Sequence, residues 1–231
     1  MQSSELQATL KAHPELKKLV RHPFFEAAAT AHVPHDMAAR FIGQWWHPLH
    51  YFPTFLARTI GVVESLPART AMSHILFQEL GEGDARKAHE SIYISTMLAA
   101  GFTNSQITGA SPNPATADLV AGYAQSVTTQ TGALGFIYAT EVADLAMVSG
   151  VGKVVRGVVG NIPLPWVDIH IEQEPDHVRD ARTAIALEFT DTEAAEILAT
   201  AARTWALWIR FFDVLHEQAL GPVALMPAKS A

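Results

Sequence analysis

The sequence has no cysteine. That single absence removes disulfides, zinc–thiolate sites, iron–sulfur clusters and thiol nucleophiles together. Charge is also scarce: Asp, Glu, Lys and Arg make up 17% of 231 residues, and the formal net charge is -7. No cluster of Lys or Arg offsets that balance, which argues against a nucleic-acid surface. Apolar runs are short and interrupted, so no membrane-spanning segment is expected. The opening residues, MQSSELQATLKAHPELKK, carry charges throughout and lack the apolar stretch of a secretory leader. A cytoplasmic location is the expectation compatible with these absences. Sustained period-two alternation is missing, so little or no strand is expected. The chain also lacks a G-x-S-x-G nucleophile elbow, a phosphate-cradling P-loop and a nucleotide-binding glycine fingerprint.

What the sequence does have is apolar residues at helical spacing, 49% hydrophobic overall, enough for a large core. Glu5 to Leu19 reads as a short amphipathic start broken near Pro14. Pro23 opens a second helix at its first turn, where proline is tolerated. Asp36 is the expected cap of a long aromatic helix, Met37 to Ile60, with kinks predicted at Pro48 and Pro53. Thr70 to Leu80 follows, broken by Gly81-Glu82-Gly83-Asp84. Asp84 is then expected to cap Ala85 to Ala100. Asn113-Pro114 starts a helix to about Thr129. Gly132 to Ser149 follows, expected to stop at Gly150 and Gly152. A run from Asp168 to about Phe189 and a final helix after Thr190-Asp191-Thr192-Glu193 complete the chain. The sum is an all-α bundle of about eight helices forming one domain over 1–231, with an N-terminal helix in 1–20 and a flexible tail over 222–231.

Three segments carry groups suited to metal ligation. The densest reads D-I-H-I-E-Q-E-P-D-H-V-R-D from Asp168. His170, Glu174 and His177 are spaced i, i+4, i+7, one stripe of a helix. Two imidazoles and a carboxylate on one stripe suit a first-row metal ion, iron included. The alternative is a solvated face, and the interleaved Glu172, Asp176, Arg179 and Asp180 fit that pattern. Pro175 lies inside the run, so either the helix is kinked there or it begins near Glu174. The second segment holds Glu79, Glu82 and His89. In the third, Y-A-T-E-V-A-D-L-A, Glu141 sits mid-helix among small and apolar residues, where a free carboxylate is unfavourable. It is either a ligand or a buried partner of Arg or His. A carboxylate-rich set with several histidines suits two non-haem iron or manganese ions better than one zinc. His13, His22, His32 and His35 lie near turns and read as surface or capping residues. His74 and His216 read as structural.

The order of these motifs resembles the haem-oxygenase-like di-metal oxidases, whose fold is related to the TenA and PqqC proteins. The resemblance runs from about residue 20 to 215. It rests on H-P-F-F-E-A, W-W-H-P-L-H-Y-F-P-T-F-L, E-L-G-E-G-D-A-R-K-A-H, Y-A-T-E and H-I-E-Q-E-P-D-H. It implies metal ligands at Glu79, His89, Glu141, His170, Glu174 and His177. Glu82 is an alternative to Glu79, disfavoured because the glycines interrupt the helix that would align it with His89. Two departures stand out. The family has Asp where this chain has Glu174, and many members carry an extra Glu on the aromatic helix. Here that helix offers Gln44, His47 and His50 instead. The implied function is a non-haem di-iron oxidase or oxygenase, an iron-dependent oxidoreductase with manganese as the alternative metal. It would use dioxygen on a small amino-acid or fatty-acid-like substrate, with Trp46, His50, Tyr51, Phe136 and Tyr138 as candidate substrate contacts. A homodimer is a candidate assembly, and no nucleic-acid or membrane partner is expected. The competing readings are a metal-free PqqC-like oxidase, a ferritin-like di-iron protein and a non-enzymatic interaction protein on the same fold.

Overall fold

A computed structural model describes residues 2–30 and 33–220. Among these residues every regular element is helical and there is no strand. Eleven α-helices appear: α1 Ser3–Ala12, α2 Pro14–Val20, α3 Pro23–Thr30, α4 His35–Val62, α5 Leu66–Glu79, α6 His89–Ala99, α7 Asn104–Thr108, α8 Pro114–Ser126, α9 Gln130–Val159, α10 Pro165–Ala184 and α11 Asp191–Leu220. The excess over the expected eight comes from short pieces. His13 splits the N-terminal helix and caps α2 by accepting from the Glu15 N–H. The five-residue α7 is held by a reciprocal Thr103–Gln106 capping box. The expected flexible tail lies outside the described residues.

The bundle is built around α9, which contacts α10, α11, α3, α4, α2 and α8. Its apolar face is nearly continuous, from Ala133 and Leu134 to Val154 and Val155. The helix does not stop at Gly150 or Gly152, as the glycines suggested. A Cβ on Gly150 would stand 2.6 Å from the Phe25 ring, so this glycine lets α3 approach rather than ending the helix. The stop is Gly160, whose φ of 79° only glycine adopts freely. Likewise α4 runs unbroken through Pro48 and Pro53. Its cap residue is Pro34, and Asp36 lies in the first turn, where its charge complements the helix dipole.

Two local features position the site. Between α5 and α6 the chain turns through Gly81, Glu82 and Gly83, all at positive φ. Asp84 caps a single 3₁₀ turn, Ala85–Lys87, and not α6 itself. This compact reversal sets the end of α5 against the start of α6. The second feature is α10, one helix from Pro165 to Ala184 with Pro175 inside it. It does not begin near Glu174, as the proline allowed. Pro175 and Ile171 both lie on the exposed face, where water can serve the carbonyl that lacks a donor. The start is instead set by Pro165 at the first helical turn. No described helix is long and apolar enough to cross a membrane.

Candidate metal centre

Four helices bring six donors to the middle of the bundle. Glu79 is the last residue of α5 and His89 the first of α6. Glu141 lies midway along α9, and His170, Glu174 and His177 form the inner stripe of α10. All six are buried, with at most 6% exposure. They sort into two groups. Donor atoms of Glu79, His89 and His170 lie within 4.8 Å of one another, and so do those of Glu141, Glu174 and His177. The groups adjoin: the His89 ring is 4.5 Å from that of His170 and 6.3 Å from that of His177. Glu82 is exposed on the turn, away from both groups.

The hydrogen bonds around the rings decide which nitrogens are free. His89 Nε2 lies 2.9 Å from Gln173 Oε1, so Nε2 carries the proton and Nδ1 the lone pair. That Nδ1 is 3.1 Å from Glu79 Oε1 but poorly aligned for a hydrogen bond. Both side chains are buried in the same donor group, where either a shared proton or a metal ion would bridge them. His170 Nδ1 donates to the Trp166 carbonyl at 2.7 Å, which leaves Nε2 as the free nitrogen. His177 Nδ1 stands 3.4 Å from Glu141 Oε2. Buried atoms with no well-aligned hydrogen bond include Glu141 Oε1, both oxygens of Glu174, His89 Nδ1 and His177 Nε2. Burying so many polar atoms unpaired is costly unless something else binds them. The oxygen and imidazole donors are those that iron and manganese take, so the residues fit the expected metals.

The electrostatics point the same way. Burial pushes the Glu79 carboxyl up, but His89, with His177 and His170 behind it, wins and holds it at about 2. Burial, helped by His89, lowers His170 to about 3 and keeps it neutral. Burial also opposes charge on His177, yet Glu141, Glu79 and Asp144 raise it to about 9. His89 is raised by Glu79 against burial in the same way. Glu141, Asp144 and Glu174 are all raised, chiefly by burial. Glu141 adds to the effect on Asp144, and both add to that on Glu174. The second group therefore carries more negative charge than its surroundings tolerate, the condition a dication relieves.

Asp144 escaped the sequence reading. It lies one turn after Glu141 on α9, and its carboxyl sits against that of Glu174. The signal was an E-x-x-D spacing that puts both on one helical face. The residues of α4 offered for that role are otherwise engaged. Gln44 bonds the Asn113 N–H, the Thr116 hydroxyl and the Ser111 carbonyl. His47 Nε2 lies 2.8 Å from the Ala110 carbonyl, and His50 Nδ1 lies 2.9 Å from Glu90. Asp180, also buried, pairs with His74 at 2.6 Å and ties α10 to α5 beside the donors.

A cavity of about 40 Å³ opens against the donors, lined by Glu79, Glu141, Asp144, His170 and His177. Its aromatic wall is Trp45, Phe52, Tyr123, Trp166 and Trp208. The five candidate substrate contacts lie outside this wall. On α4 the cavity takes Trp45, Leu49 and Phe52, spaced i, i+4, i+7, and so turns Trp46, His50 and Tyr51 to another face. Trp46 stacks on His50, which is exposed, and the Tyr51 hydroxyl accepts from Arg58. Phe136 packs on Tyr123 with ring centres 4.3 Å apart. It faces a separate outer cleft of about 750 Å³ between α8, α9 and α11. Tyr138 is buried on α9 near Arg182.

Solved structures share this architecture. A CADD-like protein of unknown function from Nostoc punctiforme superposes with a TM-score of 0.77 at 15% identity, over 94% of this chain and 96% of that one. A domain of unknown function with a heme oxygenase-like fold from Shewanella denitrificans gives 0.73 at 16% identity, covering 94% and 93%. A TenA homologue from Pseudomonas syringae gives 0.72 at 13% identity, covering 93% and 92%. These likenesses establish the TenA-like, heme-oxygenase-like fold. Comparison with curated proteins finds no match. Residues 39–209, which hold all six donors and most of the bundle, match the family described as "Iron-containing redox enzyme", and the chain belongs to that family.

Proposed function

We propose that this protein is a non-haem di-iron oxidase or oxygenase that uses dioxygen on a small organic substrate. One observation carries the reading: two adjoining, fully buried groups of three donors, each within 4.8 Å and rich in unpartnered atoms. Glu79, His89 and His170 would hold one ion, and Glu141, Glu174 and His177 the other. Bound iron would supply the redox equivalents and open coordination positions that dioxygen chemistry needs. The chain's own part is to hold and to shield. Gln173 and the Trp166 carbonyl fix the tautomers of His89 and His170, the usual way a ligand imidazole is oriented. The wall of Trp45, Phe52, Trp166 and Trp208 excludes bulk water from the donors and leaves a small apolar chamber for the reacting part of a substrate.

Anaerobic loading with ferrous iron tests this. The expected content is about two irons per chain, followed by oxygen consumption faster than that of free ferrous iron. Retention of no iron after gel filtration would end the proposal. Loading without any oxygen reactivity would reduce it to a metal-binding protein.

A further inference from the structure

The metal chamber of about 40 Å³ has room for about three waters at roughly 10–15 Å³ each. A whole organic substrate needs more, since small-molecule sites measure about 300–1,000 Å³. The outer cleft between α8, α9 and α11, at about 750 Å³, has that size. The two spaces stand back to back. On each of these helices a cleft-lining residue neighbours a chamber-lining one: Gly122 and Tyr123 on α8, Phe136 and Thr140 on α9, Thr204 and Trp208 on α11. One layer of side chains therefore divides them. In that layer the Phe136 ring, which lines the cleft, is centred 4.3 Å from the Tyr123 ring, which lines the chamber. Both residues are buried, at 2% and 1% exposure. Gly122 makes room beside them: a Cβ there would stand 2.5 Å from Leu207 Cδ1 and 3.5 Å from Phe136 Cε2. The Phe136 side chain carries no polar atom, so packing alone holds its ring. A rotamer change toward the open cleft would cost contacts and break no hydrogen bond.

We propose that the outer cleft is the entrance to the metal chamber and holds the body of the substrate, with the Phe136–Tyr123 ring pair as the door between the two. The inference rests on the metal reading of the inner site, which does not itself say from which side a substrate comes. The two linings sort the ligand by its ends. What passes the rings meets Trp45, Phe52 and Tyr123 in a space for a few heavy atoms, so the reacting end is slim and apolar. What stays in the cleft meets Arg203, Glu196 and the hydroxyls of Thr128, Thr129 and Thr131, so the body is polar. Arg203 donates to the Thr200 hydroxyl and Glu196 accepts from that of Thr131. Neither bonds an opposite charge among the described residues, which leaves both available to a ligand.

The test follows the removal of iron from anaerobically loaded ferrous protein by 1,10-phenanthroline, whose ferrous complex is coloured. This flat chelator has to reach the donors to take the ion, so its rate reports access. Phe136→Ala should speed removal by about tenfold, since it takes away a ring contact of about that worth. The rate should rise in proportion to phenanthroline, which separates entry from release by unfolding. Ala206 is exposed on the wall of the cleft. Ala206→Trp should obstruct the mouth and cancel most of the gain of Phe136→Ala when the two are combined. Leu49→Ala, which thins the α4 side of the chamber, should leave the rate nearly unchanged. If Phe136→Ala does not fold, Phe136→Leu takes its place and should give a smaller gain that Ala206→Trp again cancels. Equal gains from Leu49→Ala and the Phe136 variant, or indifference to Ala206→Trp, would overturn the proposal and leave the metal reading intact. Protein that retains no iron would end the metal reading and this inference with it.

Discussion

Glu141 shows how much a single side chain can reveal. Its neighbours Ala139, Thr140 and Ala143 are small and buried, and no lysine or arginine reaches it. A carboxylate there stands out in the bare sequence because an apolar helix face does not keep one without reason. Asp144 did not stand out. The exposed Leu145 follows it on the same helix. Gln173 was equally hidden, since its role as partner of His89 depends on how α6 and α10 meet. The two readings of Glu141, ligand or buried partner, predict different losses. Glu141→Ala should lower bound iron from about two to about one per chain, because it removes a donor from one group only. If Glu141 merely pairs with His177, the variant should instead keep both irons. It would then lose on the order of 3–5 kcal/mol of stability, the usual cost of stranding one half of a buried pair. Iron analysis together with urea unfolding separates the two results.

Helices with clear periodicity and caps were legible in advance, down to the Thr190–Glu193 box that opens α11. Breakers were less so, because glycine and proline each have two uses. Gly150 reads as a stop but serves as a notch for Phe25, and Pro175 reads as a boundary but lies on the outer face of a continuous helix. Which use applies depends on what packs alongside, and that is a tertiary fact. Gly81 is the position where the local signal was sufficient. Its φ is 80°, and an added Cβ would lie 2.3 Å from the Asp84 carbonyl oxygen and 2.4 Å from the Ala88 nitrogen. Gly81→Ala should therefore destabilise the protein by about 1–3 kcal/mol and weaken iron binding, since the turn sets Glu79 against His89. Thermal melts and iron titration of this variant check both effects. On α10 the backbone has lost one hydrogen bond to Pro175 while the stripe carries three donors. Metal should therefore tighten this helix more than others. Amide exchange over 169–180 is expected to slow on iron addition by a larger factor than over α8, which carries no donor.

For the whole molecule, protonation links the site to stability. The groups raised in the folded state are Glu141, Asp144, Glu174, His89 and His177. In an unfolded chain each has given up its proton by the time the pH is well past the ordinary histidine value near 6.5. The folded, metal-free protein still holds some of those protons, so it binds more than the unfolded chain and loses stability as pH rises. Glu79 titrates below this window in both states, and His170, shifted downward, offsets the trend only at its lower edge, where the unfolded chain gives up the last of its proton. Metal-free protein should thus melt at a lower temperature at pH 8.5 than at pH 6.5. Iron or zinc should remove that slope by taking the place of the protons. A metal-free melting temperature that climbs over the same range would contradict the assignment of these groups to one buried cluster. The helical architecture itself was readable in outline, since it follows from composition, capping and the lack of strand pattern. The division of six donors into two groups was not, because His170 shares its stripe with Glu174 and His177 yet joins Glu79 and His89.

The donors span the chain from Glu79 to His177, on four helices that meet only once the bundle has closed. This fixes an order of events in time. A growing or refolding chain can offer iron no more than a local pair, Glu79 with His89 across one turn, or the stripe of α10, too few donors to compete with solvent and other chelators. Bound ions would therefore arrive last and could not guide the search for the fold; long-range closure would be completed by apolar packing alone. Their contribution falls on the return journey, where the first helix to leave must break its bonds to metal. Iron should slow unfolding by a large factor and leave the refolding rate unchanged. A cell would then hold two populations of the same folded chain, one short-lived and one durable, and the supply of iron would set how long each copy lasts.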